Sequence, residues 1–296
     1  MTLTAKSMYV EPTQLQTFED CPRFWHLRYE ERLRAKTPNP KLYTGAGWGV
    51  MMEAYYRGED HIAALENFAE EEWRQINTLI VPTMEQEDEY RKAVDLLKLL
   101  GYDYPTWAKS NDPLYWVEVV AIEQPFEVPI PDTAYILAGR MDMVVRDAYG
   151  NLWVVDHKTT SGGFMTAREI KLNTQFQSYW WAAAHLWPDE TVRGFIYNGV
   201  RKTNPKTARK EVFGRTAVVF HTTTNLEPIT KKLQNLVNLI ATEKEADYHR
   251  PQPGFHCNWK CPFTDVCIAM DDQSDYELLI NEYFVVDDSG PNYLRG

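Results

Sequence analysis

The sequence predicts an α/β or α+β fold in one domain, with helices before, within and after a central sheet. Three observations carry that expectation. Up to about residue 100 the apolar residues recur at helical spacing. From Tyr115 to His157 the pattern becomes extended and closes on a hairpin. After it, strand-like runs at Val192 to Tyr197 and Thr216 to His221 alternate with helices. A chain of 296 residues, 44% hydrophobic, holds one large domain or two small ones.

Taken in order, Glu11 to Lys36 reads as a helix opening at Pro12-Thr13, with Leu15, Phe18, Cys21, Phe24 and Trp25 at helical spacing. Lys36 to Pro40 is a loop, and Gly45 to Tyr56 begins a second helix. His61 to Leu79 and Glu85 to Leu100 are amphipathic helices. Tyr115 to Val128, Tyr135 to Val145 and Leu152 to His157 are strands, the last two joined by the turn-forming Asp147-Ala-Tyr-Gly-Asn151. Asn173 to Leu186 is an aromatic-rich helix and Leu226 to Glu245 a long one. Gln252 to Met270 is irregular, and the acidic tail after it carries a short strand at Tyr283 to Val286. No internal repeat or low-complexity linker separates domains.

The formal charge of -11 and pI near 5.2 argue against coating nucleic acid by bulk charge. They leave room for a local basic groove. Residues 199–215 form such a stretch, with Arg201, Lys202, Lys206, Arg209, Lys210 and Arg215 against one acid, Glu211. A charge run of this kind is also what a solvated loop looks like. Met1 to Val10 has no apolar core, and the longest apolar run, Tyr179 to Trp187, is too short for a bilayer. A soluble, cytoplasmic protein with no membrane partner is expected.

The chemistry concentrates in the hairpin. Side chains alternate along a strand, so Asp156 and Lys158 share a face and His157 points the other way. Asp142 lies on the partner strand. Two neighbouring carboxylates repel unless a cation sits between them. A hard divalent ion with oxygen ligands, Mg2+ or Mn2+, suits the place, and Lys158 then stands beside its bound water. Against this stands an ordinary ion pair at a strand end. Cys257, Cys261 and Cys267 form C-x3-C-x5-C, and the fourth cysteine, Cys21, lies far upstream. Four cysteines in a reducing compartment point to metal rather than disulfides. The one-plus-three split suits an iron–sulfur cluster better than the paired knuckles of zinc.

These motifs together resemble the RecB-like branch of the PD-(D/E)XK nucleases. The resemblance is to the iron–sulfur subgroup of bacterial recombination exonucleases, the CRISPR-associated adaptation exonuclease and related phage proteins. Cys21-Pro-Arg-Phe-Trp resembles the first cluster cysteine of that family, and Gly45 to Tyr56 its Gly-xxx-His-xxx-Glu helix. Gly139-Arg-Met-Asp142 resembles the Gly-x-x-Asp strand, and Asp156-His-Lys158 the (Asp/Glu)-x-Lys strand. Gln175-Phe-Gln-Ser-Tyr179 resembles the Gln-xxx-Tyr helix, and Cys257 to Cys267 the closing triplet. The order and spacing of the six stretches are what make the match specific.

The resemblance implies a restriction-endonuclease-like central mixed sheet flanked by helices. The parts would be a helical portion (1–110), a catalytic sheet core (111–221), a helix and cluster segment (222–270) and the tail (271–296). It implies a structural 4Fe-4S cluster on Cys21, Cys257, Cys261 and Cys267, joining N- and C-terminal segments. Asp142, Asp156 and the His157 carbonyl would bind Mg2+ or Mn2+, Lys158 would complete the catalytic set, and Gln175 and Tyr179 would touch DNA or steady the site. Glu123, on the strand before, is expected to assist or to be an exposed strand residue. Arg201, Lys202, Arg209 and Lys210 would hold DNA phosphates. The implied activity is exonucleolytic hydrolysis of DNA, at ends or on single strands, in recombination and repair. A protein partner in a recombination or CRISPR-type complex, inside a prokaryotic or phage-infected cell, goes with it.

One position departs from the family. Its metal-binding histidine falls where this chain has Gly49, although Glu53 is present one turn on. That departure supports an alternative, a weak or inactive DNA-binding scaffold that kept the fold. The intact Asp142, Asp156 and Lys158 speak against it.

Overall fold

The structure, a computed structural model, describes residues 8–36, 40–220, 226–258 and 260–287. Residues 37–39 of the expected first loop, His221 at the end of an expected strand and residues 288–296 of the tail lie outside them.

The elements, in order, begin with β1 (Met8–Val10), α1 (Pro12–Asp20), α2 (Pro22–Trp25), β2 (Leu33–Ala35) and α3 (Pro40–Arg57). Then follow α4 (His61–Leu79), α5 (Met84–Asn111), β3 (Glu118–Pro129), β4 (Tyr135–Arg146) and β5 (Leu152–Thr160). The rest are α6 (Ala167–Leu172), α7 (Thr174–Leu186), β6 (Val192–Arg201), β7 (Phe213–Val219), α8 (Glu227–Lys244), α9 (Thr264–Asp272), α10 (Tyr276–Tyr283) and β8 (Phe284–Val286). No helix among the described residues is long and apolar enough to cross a membrane.

The chain divides into two compact units. One comprises residues 1–37, 127–139 and 226–296, and the other 38–126 and 140–225. In the first, β1 pairs in parallel with the start of β4, Met8 opposite Tyr135. There too β2 pairs antiparallel with β8, Leu33 opposite Val286. The expected helix from Glu11 to Lys36 is broken. Cys21 is extended, Pro22 opens α2 at a position where a missing N–H costs nothing, and the Cys21 sulfur accepts the Phe24 N–H at 3.5 Å.

The second unit holds a mixed sheet. β3 pairs with β4, β4 antiparallel with β5, β5 parallel with β6, and β6 antiparallel with β7. The expected hairpin is present, with Met143 opposite Val155. Its turn is built by Asp147, which accepts the Tyr149 and Asn151 N–H groups at 2.9 Å, and by Gly150 at φ +86. The parallel β5–β6 pair requires a crossover, which α6 and α7 supply. Thr166 and Glu169 form a capping box at α6, and Asn173 caps α7 by accepting the Phe176 N–H at 3.1 Å.

Met143, Val145, Trp153, Val155 and Ile196 form one buried sheet face with Trp116. Trp48, Met51, Met52, Leu65, Leu97, Leu100 and Tyr104 bury α3, α4 and α5 against Val200 and Phe213. The expected end of α5 near Leu100 is passed, and the helix runs through Pro105. Leu97, Leu100, Tyr104 and Ala108 continue one buried stripe, and its packing outweighs the cost of the proline.

Candidate active site

The hairpin and α7 bring the candidate residues together within the second unit. Asp156 sits on β5 and is only 2% exposed. Lys158, two residues on and on the same face, donates to Asp156 Oδ1 at 2.8 Å. Its ammonium stands 5.9 Å over the Phe176 ring of α7. Asp142, half-buried on β4, accepts the His157 backbone N–H at 2.8 Å on Oδ2, which ties its carboxylate to β5. Asp156 Oδ2 is buried and has no hydrogen-bond partner among the described residues. A buried carboxylate oxygen left unpartnered is costly, and a proton, a hydrogen-bond donor or a cation would each relieve it.

The electrostatics agree. Burial pushes the Asp156 carboxyl well above the ordinary carboxylate range, Lys158 pulls against this and Asp142 adds to it. Glu123 on β3 is pushed up to about 7, first by burial and then by Asp142, with the paired Arg140 opposing. Glu123 has φ +50, a left-handed conformation for a residue other than glycine. Glu53 on α3 also reaches Glu123 with its charge and pairs with Arg57 at 2.7 Å. Four carboxylates thus stand among Arg57, Arg140 and Lys158. As placed, no three His, Cys, Asp or Glu side chains among the described residues already form a metal cage.

His157 does turn to the opposite face. Its ring stacks on Tyr56, with centroids 5.6 Å apart. Burial first, together with Arg215 and Lys158, pushes its pKa down to about 4, so the ring is neutral at pH 7. Asn198 Nδ2 meets His157 Nδ1 at 2.8 Å and the Tyr104 hydroxyl at 2.9 Å. An amide nitrogen only donates, so Nδ1 accepts and the ring proton is on Nε2. Asn198 Oδ1 accepts from Arg215 Nε at 2.9 Å, which fixes the orientation of the amide.

Arg215 is where the structure departs from the expected basic loop. Its side chain is 1% exposed and pairs with Asp112 at 2.5 Å. It donates to the Tyr56 and Tyr104 hydroxyls and lies over the Trp116 and Trp107 rings at 4.3 and 4.6 Å. It is an internal residue and has no face for DNA. Arg201 and Lys202 lie beside the end of β5 instead: Thr160 lies opposite Arg201 in the sheet, and Lys202 N–H donates to the Thr160 carbonyl at 2.7 Å. Arg209 and Lys210 are exposed further along the loop.

Gln175 is half-buried at the start of α7. Tyr179 is buried, edge-on to Phe126 at 6.0 Å. Sequence reasoning missed the Asn198–Arg215–Asp112 network entirely and left Glu123 undecided between an assisting and an exposed residue. The only available signal for Arg215 was its alternation with Phe213 and Ala217 at a strand start.

A family model described as "PD-(D/E)XK nuclease superfamily" matches residues 10–268. The chain belongs to the PD-(D/E)XK nuclease superfamily. Divalent metals such as Mg2+ are typical of that superfamily, and the Asp142, Asp156 and Lys158 arrangement falls inside the matched span. No curated protein matches the chain. Two solved structures are similar over most of their length. One is a protein of Eubacterium rectale provisionally described as an exonuclease, at 12% identity and TM-score 0.48, covering 88% of this chain and 99% of that one. The other, SSO0001, has 16% identity and TM-score 0.40, covering 90% and 89%.

The four cysteines of this superfamily member all lie in the first unit. Burial first, then the charges of Cys21, Cys257 and Cys267, push the Cys261 thiol up to about 11. Cys21 Sγ accepts the Gln252 N–H at 3.3 Å, and Cys257 Sγ the Gly254 N–H at 3.5 Å. Cys267 Sγ accepts from the buried Arg23 guanidinium at 3.2 Å. Arg23 also donates to the His249 carbonyl at 2.9 Å and pairs with Asp271 at 2.7 Å.

Proposed function

We propose that the chain is a divalent-metal-dependent DNA nuclease, an exonuclease acting on DNA ends or single strands. The observation that carries the reading is Asp156, a buried carboxylate whose Oδ2 lacks a partner while its Oδ1 holds the Lys158 ammonium. Asp142, Asp156 and the His157 carbonyl are the donors that would hold Mg2+ or Mn2+. A metal there supplies a water of lowered pKa and neutralises charge on the scissile phosphate. Lys158 places its ammonium beside the reacting phosphate, where it stabilises charge growing on the phosphorus oxygens. Burial opposes that charge, but the Asp156 and Asp142 carboxylates outweigh burial and keep the amine protonated. Gln175 and Tyr179 steady the site from α7. Arg201 and Lys202, next to the end of β5, and the exposed Arg209 and Lys210 track the DNA backbone.

On the same reading, Cys21, Cys257, Cys261 and Cys267 hold a structural 4Fe-4S cluster. The hydrogen bonds that three of the sulfurs already accept support it, because such donors stabilise cluster thiolates. The test is digestion of end-labelled linear DNA and of closed circular DNA by anaerobically purified protein, with Mg2+, Mn2+ or EDTA. Metal-dependent loss of linear DNA alone is expected. Absence of cleavage with either metal would favour the scaffold reading.

A further inference from the structure

We propose that Phe164 is a positioning residue: it holds the Arg201 guanidinium over the face of the sheet that carries Asp156 and Lys158, where Arg201 takes a backbone phosphate beside the scissile one. The inference rests on the nuclease reading above and deepens it, because it names how the chain grips its strand.

Residues directly opposite each other in neighbouring strands share a face of the sheet. Lys158 on β5 lies opposite Gly199 on β6, and Gly199 lies opposite Gly214 on β7. The row that begins at Lys158 therefore crosses two strands with no side chain of its own. Glycine weakens a strand, so a facing pair marks a close approach. One ring fills the clearing. A Cβ built at Gly199 would come within 2.7 Å of Phe164 Cδ1, and one built at Gly214 within 2.5 Å of Phe164 Cε2. Opposite edges of the ring rest on the two glycines, so Phe164 lies across both strands beside Lys158. Tyr197, opposite Asp156, closes the clearing: its Cε1 stands 2.5 Å from the Cβ built at Gly199.

The segment that carries Phe164, residues 161–166 between β5 and α6, is tied on both sides of the ring. The Thr160 hydroxyl accepts the Gly162 N–H at 3.0 Å and donates to the Gly163 carbonyl at 3.3 Å. On the far side, the Thr216 hydroxyl donates to the Met165 carbonyl at 2.9 Å.

Arg201 follows Gly199 by two residues and so shares its face. Its guanidinium carbon lies over the Phe164 ring, 5.2 Å from the centroid. Its Nε donates to the Glu211 carbonyl at 3.0 Å. Among the described residues the half-buried side chain has no carboxylate partner. A ring and a backbone carbonyl thus orient the guanidinium while its two terminal nitrogens stay unspent. That planar fork matches a phosphate, and the ring beneath it lowers the entropy lost on binding.

The experiment is equilibrium binding of a fluorescein-labelled single-stranded oligonucleotide in EDTA, read by anisotropy over a salt series. The proteins are wild type, Arg201→Gln, Phe164→Leu and the double variant. Arg201→Gln should weaken binding by about 10-fold and lower the salt slope by about 0.7. Phe164→Leu keeps an apolar side chain on the glycines but removes the ring face, and should weaken binding by about 3-fold. In the Arg201→Gln background it should have no further effect, which a merely structural role for the ring would not produce. Gly214→Ala drives a methyl group against the ring and should reproduce the Phe164→Leu loss, so the inference does not hang on the folding of one variant. Equal binding or an unchanged salt slope for Arg201→Gln would overturn the inference. So would a Phe164→Leu loss that persists undiminished in the Arg201→Gln background. Binding that depends on Arg201 and Phe164, in a protein that cuts no DNA with Mg2+ or Mn2+, would uphold the clamp and sink the nuclease reading alone.

Discussion

Arg215, on β7, is the sharpest place to separate internal charge from the exposed charge of the loop between β6 and β7. Arg215→Met keeps an unbranched stem between Trp107 and Trp116 but removes the guanidinium. Asp112 then loses its partner at 2.5 Å, while burial, the first force on its carboxyl, pushes it above the ordinary range. Asn198 loses the donor at 2.9 Å, and two tyrosine hydroxyls lose theirs. Breaking one side of a buried ion pair costs about 3–5 kcal/mol. The lost Asn198 contact belongs to the same network and is not added separately. At about 2–4 °C per kcal/mol for a domain of this size, the melting temperature should fall by roughly 10 °C. Adding Asp112→Leu should recover much of it, since a well-packed apolar pair replaces a buried ion pair at little cost. Circular dichroism melts of the single and double variants read both effects. A loss under about 1 kcal/mol for Arg215→Met, the range of a surface salt bridge, would refute the reasoning.

Other outcomes follow from the same geometry. Arg209→Glu with Lys210→Glu should leave the melt unchanged and lower the salt slope of DNA binding, and an unchanged slope would return these residues to an ordinary loop. Replacing any one of Cys21, Cys257, Cys261 or Cys267 by Ala should bleach brown, anaerobically purified protein and lower its melting temperature. Full iron content in Cys21→Ala would break the four-ligand assignment. Glu123 has its carboxyl raised from 4.5 to about 7 in the folded chain. Its stabilising protonated form is complete below pH 4.5 and lost as pH rises through 7. His157, pushed down to about 4, acts oppositely on the acid side. The melting difference between wild type and Glu123→Gln isolates the glutamate.

The hairpin with Asp142, Asp156 and Lys158 was legible because a two-residue alternation and a turn sequence fix which side chains share a face. The orientation of His157 came from the same rule. Helix α7 was legible from its run of aromatics, and α4 from its strict periodicity. The break at Cys21 was readable in principle from Pro22, but the apolar spacing on both sides concealed it. Helix α6 left a capping-box signal, Thr166 to Glu169, too short to carry a periodic face. Arg215 and Asn198 were not legible. Their roles come from Tyr56, Tyr104, Trp107 and Asp112, about 90 to 160 positions upstream, and only the sheet and its covering helices bring them together. The positive φ of Glu123 is likewise set by its surroundings and has no glycine to announce it.

The central claim is that Asp142, Asp156 and Lys158 act as one metal-dependent unit on DNA. It is tested most directly by digesting end-labelled linear DNA with wild type and with Lys158→Ala, in Mg2+ or Mn2+, at matched protein concentration. Wild type should shorten the labelled strand only when metal is present. Lys158→Ala should lose that activity while binding the DNA as tightly, with Asp142→Ala and the Asp142→Ala, Lys158→Ala pair little worse than either alone. Cleavage by Lys158→Ala at the wild-type rate, or metal-independent cleavage by both, would contradict the account.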